Sequence, residues 1–126
     1  ENDERLYDLQ DCVQVSAATG VPVLFDVFHH ACLNRGESIA TGLAAVQKTW
    51  RKADGLPLVD YSEQAPGGRF GAHAESITDK AFRSFLRASQ PHDCDVMLEI
   101  KDKEKSALRA LRLAARDPRL YRGDRA

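Results

Sequence analysis

The sequence predicts an α/β fold, about half of a (β/α)8 TIM barrel in which parallel strands alternate with helices. Three short apolar runs each lead into polar residues and then into a helical pattern, and a fourth unit is represented by its polar end, ENDE. Near-continuous apolar strands are typical of parallel sheets, because helices cover both faces. Four units make about half of a barrel that typically needs about 250 residues. A small open doubly wound sheet is the alternative, but no glycine-rich phosphate loop follows these strands.

The predicted strands follow turn residues and are rich in β-branched and aromatic side chains. They comprise residues 21–26, 56–61 and 94–100. Helices are predicted where apolar residues recur at helical spacing, with Ser38 as an N-cap, SITD as a helix entry and Pro118 as a stop. The four apolar stripes are Leu9, Cys12, Val13 and Ala17; Ile39, Leu43, Val46 and Trp50; Phe82, Phe85 and Leu86; and Ala107, Leu108, Leu111 and Ala115.

The composition is typical of one soluble globular domain. Of the 126 residues, 43% are hydrophobic and 29% charged, and a net charge of -1 gives no global attraction to nucleic acid or anionic membrane. Three cysteines without a C-x-x-C pair predict reduced thiols and a cytoplasmic location. No apolar run is long enough to span a bilayer. We expect a barrel segment over residues 1–115 and a tail over residues 116–126.

Polar side chains recur where the strands end. The candidates are Glu1, Asp26, His29, Asp60, His73 and Glu99. In a barrel, the C-terminal ends of the strands meet on one rim, where active sites are built. Clustered carboxylates would repel one another, and bound cations resolve that repulsion. Mixed histidine and carboxylate ligands favour Mn²⁺, Zn²⁺ or Fe²⁺ over Ca²⁺, so the pattern predicts a polynuclear metal site.

Each of these residues also has a simpler interpretation. Asp26 taken alone is typical of a helix N-cap or a turn, and Glu99 would form an ion pair with Lys101 or Arg69. The segment KDKEKSALRALR is most simply a solvated helical face. These simpler interpretations are less convincing when the residues are taken together, because acidic or imidazole side chains recur at the ends of four consecutive strands.

The motifs LFDVFHH, PLVDYSEQ…GGRFGAHAESI and DVMLEIKDKEKSAL, preceded by ENDE, resemble the C-terminal half of the ultraviolet damage endonucleases. The likeness runs from Glu1 to about Leu113, and its most specific element is MLEIKDKE in register with the Asp-x-x-His and the downstream His. Members of that family are (β/α)8 barrels that hold divalent metals and nick DNA immediately 5′ to a photoproduct. The resemblance implies damaged double-stranded DNA as the partner and manganese as the metal, with zinc or magnesium as alternatives.

The resemblance also implies metal-ligand positions. They are Glu1, Asp26, His29, His73 and Glu99. Where the family often shows a Lys-x-His pair with a carboxylated lysine, this chain has Leu58 and Asp60. Asp60 can still ligate, whereas Leu58 cannot be carboxylated, so we expect the metal count to be altered.

The implied mechanism needs no covalent nucleophile, since clustered metals generate hydroxide, polarise the phosphoryl group and stabilise the leaving oxygen. Lys101 and Glu99 are the predicted catalytic residues. Substrate contacts are predicted for Arg69, Lys101, Tyr61, Ser62 and Gln64, with turn chemistry as the alternative for YSEQ.

Two other functions fit the same residues. A sugar isomerase or epimerase of the related barrel group would use a similar rim of histidines and carboxylates on small polyols. Alternatively, the chain is an inert structural half whose site is not assembled without an N-terminal portion. Because half a parallel barrel exposes sheet edges, we expect the chain to pair with a copy of itself or to need that missing portion.

Overall fold

A three-stranded parallel sheet covered by helices forms the computed structural model of the chain, which describes residues 1–123. The strands are β1 (Phe25–Asp26), β2 (Leu58–Tyr61) and β3 (Asp95–Leu98), in that order across the sheet. The helices are α1 (Leu9–Thr19), α2 (Val27–Cys32), α3 (Ile39–Gln47), α4 (Asp79–Ala88) and α5 (Glu104–Leu113), with a 3₁₀ turn at Lys52–Asp54. None of the helices in this part of the chain combines the length and the apolar character that a bilayer crossing requires.

Parallel pairing brings the carboxyl ends of the three strands together. β1 pairs with β2 so that Asp26 lies beside Asp60, and Asp60 in turn lies beside Met97 of β3. Helices connect the strands, because a chain that leaves one parallel strand must return to the opposite end of the sheet. The predicted alternation of parallel strands and helices is therefore confirmed.

The first strand is shorter than the prediction over residues 21–26. β1 is an edge strand of the described sheet, and side chains bind the backbone that precedes it. The N–H of Val23 donates to Thr49 Oγ1 at 3.0 Å, and Trp50 Nε1 donates to the carbonyl of Val23 at 2.7 Å. These bonds satisfy backbone groups for which the apolar pattern predicted strand partners.

Side-chain caps fix where four of the helices begin, and two of these caps lie at predicted positions. Ser38 Oγ accepts a hydrogen bond from a backbone N–H in the first turn of α3, which confirms the predicted N-cap. Thr78, within the predicted helix entry SITD, caps α4 in the same way. The prediction that Pro118 stops the last helix is wrong, because α5 ends at Leu113 and the chain turns before the proline is reached.

The core lies between the sheet and the helices that pack on it. Its largest fully buried apolar side chains are Phe25, Leu9, Leu43, Ile77, Val46 and Val59. Gly42 allows α3 to approach the sheet closely, since a Cβ there would lie 2.9 Å from Leu9 Cδ2 and 3.0 Å from Phe25 Cζ. Such close packing holds the strands rigid, so the polar groups at their ends have fixed positions.

The sheet is open beyond β3. Val96 and Met97 are exposed by 39% and 53%, and Leu108 and Leu111 on α5 are exposed by 56% and 53%. Val96, Met97 and Leu111 line a groove of about 1330 Å³ together with residues near the end of the chain. The apolar stripe of α5 is thus only partly buried, because within residues 1–123 no strand follows β3.

The predicted tail begins as an anchored segment. Arg119 donates to the carbonyl oxygens of Leu86 at 2.8 Å and His92 at 2.9 Å, and to Ser89 Oγ at 3.1 Å. It also pairs with Asp117 at 2.6 Å. These bonds tie the chain to the end of α4 as far as Arg119, and residues 124–126 of the predicted tail lie outside the described residues.

We expect the isolated chain to self-associate through the open side of the sheet. Met97→Lys places a charge on the exposed edge strand, so it should shift the chain toward the 14.0 kDa mass of a monomer in size-exclusion chromatography with light scattering. Val15→Lys, on the exposed surface of α1, is the matched control and should leave the association unchanged. A wild-type chain that elutes as a monomer at every concentration would contradict this expectation.

Candidate metal centre

Acidic and imidazole side chains meet beyond the carboxyl ends of the strands. Two groups have ligand atoms within 4.8 Å of one another, namely Glu1, Asp26 and His29 in one and Asp26, Asp60 and Glu99 in the other. Asp26 belongs to both groups, so the two are adjacent. His73 lies next to them, with its ring centroid 6.1 Å from that of His29. The structure thus brings all six of the predicted ligand residues to one region.

Asp26 combines helix capping with an available ligand oxygen. Its Oδ1 accepts a hydrogen bond from the N–H of His29 at 2.8 Å and caps α2. Its Oδ2 is buried and accepts no hydrogen bond from residues 1–123, although His29 Nδ1 lies 3.2 Å away. Burial raises the pKa of this carboxyl, because the charged form loses its hydration. A buried carboxylate oxygen without a partner destabilises the folded state, whereas a cation bound to it would compensate its charge.

Backbone carbonyls orient the rings of the two histidines. His29 Nδ1 lies 3.0 Å from the carbonyl oxygen of Asn2, and His73 Nδ1 lies 3.2 Å from that of Glu99. Because a carbonyl oxygen only accepts, each Nδ1 donates in these bonds. Metal-binding histidines commonly donate one ring N–H in this way and bind the metal through the other nitrogen. In both rings, Nε2 is therefore the nitrogen left for a cation.

Burial and repulsion among the carboxylates perturb Asp60. Burial, followed by the negative charges of Glu99, Glu1 and Asp26, raises the pKa of this carboxyl to about 6. A divalent cation would offset both effects by favouring the charged form. The donor set of carboxylates and imidazoles around an unpartnered buried oxygen therefore fits Mn²⁺ or Zn²⁺.

A family model described as UV-endonuclease UvdE matches residues 1–120. The chain belongs to the UV-endonuclease UvdE family. The resemblance to the ultraviolet damage endonucleases that the sequence motifs predict is confirmed.

Individual relatives agree with this assignment to the UvdE family. The chain is 36% identical over 113 residues to the UV DNA damage endonuclease of Clostridium perfringens (strain 13 / Type A). It is 33% identical over 111 residues to the putative UV-damage endonuclease of Acanthamoeba polyphaga mimivirus. These alignments cover 88% and 86% of this chain but 27% and 34% of the two relatives. The chain therefore spans about a third or less of the length of these relatives.

A solved structure is similar over the same region. The crystal structure of SacUVDE matches with a TM-score of 0.86 and 42% identity, over 94% of this chain and 39% of that chain. UVDE is a TIM barrel protein, so the match confirms the predicted fold class. The three parallel strands and their helices are a part of such a barrel, and the open side beyond β3 is consistent with that.

Position 58 departs from the pattern that the family often shows. Leu58 lies in β2, two residues before Asp60 and on the same side of the strand by alternation. Its aliphatic side chain offers no oxygen or nitrogen atom to a cation. Asp60 is therefore the ligand candidate that β2 contributes to the site.

The prediction that Tyr61 contacts DNA is wrong. Tyr61 is 3% exposed, and its ring packs against Phe82 and Phe85 with centroids 5.2 Å and 4.9 Å away. Its hydroxyl donates to Glu63 Oε1 at 2.8 Å. Alternation along β2 explains the error, because the residue after Asp60 must point to the opposite face, into the helix-covered core.

Ser62 needs the same correction as a predicted DNA contact, whereas the exposed Gln64 stays a prediction. Ser62 is 5% exposed, so its hydroxyl presents no surface to a duplex. Gln64 is exposed, but its amide donates to the carbonyl of Arg69 at 2.9 Å and accepts from the N–H of Gly71 at 3.0 Å. These bonds close the loop over residues 65–71, as in the turn interpretation of YSEQ. Gln64 thus shapes the loop that precedes His73.

Arg69 and Lys101 both lie on the surface. Both are exposed, and neither forms an ion pair with another residue in the described range 1–123. The simpler interpretation that one of them neutralises Glu99 is therefore wrong. The ring of His73 lies beside that carboxylate instead, with Nδ1 3.9 Å from Glu99 Oε2.

The sequence pattern did not predict two residues of the site. Asn2 is fully buried and bonded to the backbone of Asp26, and Glu4 places Oε2 3.7 Å from His29 Nε2. Both belong to ENDE, in which Glu1 was singled out. An asparagine between two acidic residues is also typical of turns, so the pattern gave no signal for its burial.

Proposed function

We propose that this UvdE-family chain supplies a metal-binding rim of a DNA repair endonuclease that nicks damaged double-stranded DNA immediately 5′ to ultraviolet photoproducts. The observation that carries the proposal is the position of Asp26, which is buried, shared by two ligand groups and left with an unpartnered Oδ2 within residues 1–123. Membership of the family supports the substrate class.

The metals in this proposal are divalent, with manganese first and zinc or magnesium as alternatives. The residues that would hold them are Glu1, Asp26, His29, Asp60, His73 and Glu99. Clustered divalent metals, when bound, supply a hydroxide near neutral pH and stabilise charge on phosphoryl oxygens. Because Leu58 offers no ligand atom, we expect this rim to hold fewer metals than one with a carboxylated lysine.

Glu99 and Lys101 are the proposed catalytic residues. The Glu99 side chain is 44% exposed, whereas Asp26 and Asp60 are almost fully buried, so Glu99 lies on the side from which a substrate approaches. Lys101 and Glu99 line one cavity of about 470 Å³ together with His73. The ammonium group of Lys101 is thus placed to bind a scissile phosphate beside the ligand groups.

Arg69 is the proposed contact to a flanking phosphate. It is exposed in the loop that Gln64 closes, four residues before His73. Phosphate contacts of this kind position the protein on the duplex and carry no sequence information. With a net charge of -1, the chain depends on such local cations for its attraction to DNA.

The proposed activity belongs to a larger assembly than this chain alone. The chain covers 27% to 39% of the relatives that it matches, and its sheet is open beyond β3. We propose that either further barrel strands of the same polypeptide or a second copy cover that side. The groups that probe the lesion would then lie outside the residues described here.

A nicking assay tests the proposal. Supercoiled plasmid, irradiated or undamaged, is incubated with Mn²⁺ or with EDTA, using the chain alone and the chain joined to the N-terminal barrel strands of a relative. We expect nicks in irradiated plasmid with Mn²⁺ from the joined protein, and none in EDTA. The Lys101→Ala variant should slow nicking strongly, because one phosphate contact is lost, while metal binding is unchanged.

Three other outcomes would change the interpretation. Equal nicking of irradiated and undamaged plasmid would contradict the repair function. Isomerisation of aldoses without any nicking would favour a sugar isomerase of the related barrel group. Full activity of the chain alone, without the N-terminal strands, would contradict the proposal that the activity needs a larger assembly.

A further inference from the structure

We propose that Asn2 is a positioning residue for the candidate metal centre, holding Asp26 and His29 in ligand geometry through its side chain and its carbonyl group. The inference rests on the proposed function. It concerns a residue that provides no ligand atom in either of the two groups of converging ligands.

The side chain of Asn2 replaces a neighbouring strand at one residue of β1. Its Nδ2 donates to the carbonyl of Asp26 at 2.9 Å, and its Oδ1 accepts from the N–H of Asp26 at 2.9 Å. This two-way pairing is the one that a residue of an adjacent strand makes with its partner. β2 occupies the other edge of β1, so the backbone of Asp26 is fixed from both sides.

The main-chain carbonyl of Asn2 orients the imidazole of His29. It accepts from His29 Nδ1 at 3.0 Å, so Nε2 is the ring nitrogen left for a ligand. Since the side chain anchors Asn2 to Asp26, it also fixes where that carbonyl lies. The same anchor places the adjacent Glu1, so Asn2 connects all three members of the first ligand group.

Hydrogen bonds within residues 3–7 stabilise the turn that follows Asn2. Asp3 Oδ1 accepts from the N–H groups of Arg5 at 2.7 Å and Leu6 at 2.6 Å, and the N–H of Asp3 donates to the carbonyl of Tyr7 at 2.9 Å. The turn therefore presents Asn2 to β1 in a fixed orientation. A buried asparagine in a braced turn would also stabilise the fold without serving a metal, so the test must separate positioning from stability.

Asn34 provides a matched control for Asn2. Its Nδ2 donates to the carbonyl of His30 at 2.9 Å, and its Oδ1 accepts from the N–H of Gly36 at 2.8 Å, so it too binds the backbone in both directions. It lies in the exposed loop after α2. Asn34→Ala therefore removes the same kinds of bond at a more exposed site, without touching the anchor between Asn2 and Asp26.

The first measurement is Mn²⁺ affinity by electron paramagnetic resonance, with the visible spectrum of bound Co²⁺ as a report on coordination geometry. We expect Asn2→Ala to weaken Mn²⁺ binding about 10- to 100-fold and to change the Co²⁺ spectrum, as is typical when an outer partner of a ligand is removed. Asn34→Ala should leave both unchanged. Asn2→Ser keeps one hydroxyl on the side chain, so its Mn²⁺ affinity should fall between those of the wild type and Asn2→Ala. It provides the test if the alanine variant does not fold.

The second measurement needs no metal. Nitrogen-15 shifts of the His29 ring in the metal-free chain should report the Nδ1–H tautomer in the wild type and a mixture of tautomers in the Asn2 variants. Wild-type Mn²⁺ affinity and an unchanged Co²⁺ spectrum in Asn2→Ala or Asn2→Ser would overturn the inference, as would an Nε2–H tautomer in the wild type. If the wild-type chain binds no Mn²⁺, the proposal that this chain holds a metal without further barrel strands fails, and the ring shifts still decide whether Asn2 orients His29.

Discussion

Replacement of Asp26 by asparagine is expected to weaken Mn²⁺ binding by more than about 100-fold. This exceeds the loss that is typical when a group that only orients a ligand is removed. Asp26 is the one residue shared by the two groups of converging ligand atoms, and its Oδ2 accepts no hydrogen bond from the described residues 1–123. Asparagine keeps the cap on α2, because its side-chain oxygen accepts from the N–H of His29 equally well. Isothermal titration calorimetry with Mn²⁺ would measure the loss.

The same substitution should stabilise the metal-free protein. Burial raises the pKa of Asp26, so ionisation of this carboxyl near neutral pH opposes folding, and an uncharged amide removes that cost. We therefore expect a higher melting temperature in EDTA together with the lost affinity. Asp95→Asn, at the exposed start of β3, is the control and should change neither quantity. A lower melting temperature with unchanged Mn²⁺ affinity would show that Asp26 is a structural cap alone.

The second large effect is a loss of stability of the metal-free protein as the pH rises from about 4 to 6. The folded-state pKa of Asp60 is about 6 against an ordinary value of 3.8, so the folded protein holds this proton more tightly than the unfolded chain does. Stability is then greatest below the unfolded value and falls until the folded value is passed. The shift corresponds to about 3 kcal/mol in the free energy of unfolding.

Urea unfolding at several pH values in EDTA would measure this dependence. Asp60→Asn removes this titrating group and should make the decline less steep, with a remainder from Asp26, whose pKa is also raised. Asp95→Asn should leave the decline as steep as in the wild type. Saturating Mn²⁺ should oppose the decline in the wild type, because a ligand that binds the folded state alone adds stability. A wild-type free energy of unfolding that does not change between pH 4 and 6 in EDTA would contradict the raised pKa.

Both predictions follow from one property of the site. Its negative charges destabilise the protein when no cation is bound. The carboxylates are held by a rigid sheet and by packed helices, so they cannot move apart when no cation is bound. Removing a negative charge should therefore improve stability and harm binding at once. Such opposite effects separate a metal site from a set of structural ion pairs, in which removal of a charge lowers stability.

The fold class followed from local patterns. Apolar runs that lead into helical stripes predicted parallel strands alternating with helices, and the capping role of Ser38 could be predicted from its place before a stripe. The length of β1 could not be predicted, because the backbone before it bonds to Thr49 and Trp50, which are distant in sequence. The exposure of Leu108 and Leu111 could not be predicted either, because helical spacing does not show what packs on each side of a helix.

The sequence by itself determined the family and the residues that converge. Carboxylates and histidines at the ends of successive strands must meet on one side of a parallel sheet, because every strand points the same way. Only the tertiary structure decided which polar residues near those ends face the site. Tyr61 enters the core, Gln64 closes a loop, and Asn2 holds Asp26 by a side chain from 24 residues earlier. Those roles depend on which groups are left without a backbone partner, and that is settled by packing between distant segments rather than by local spacing.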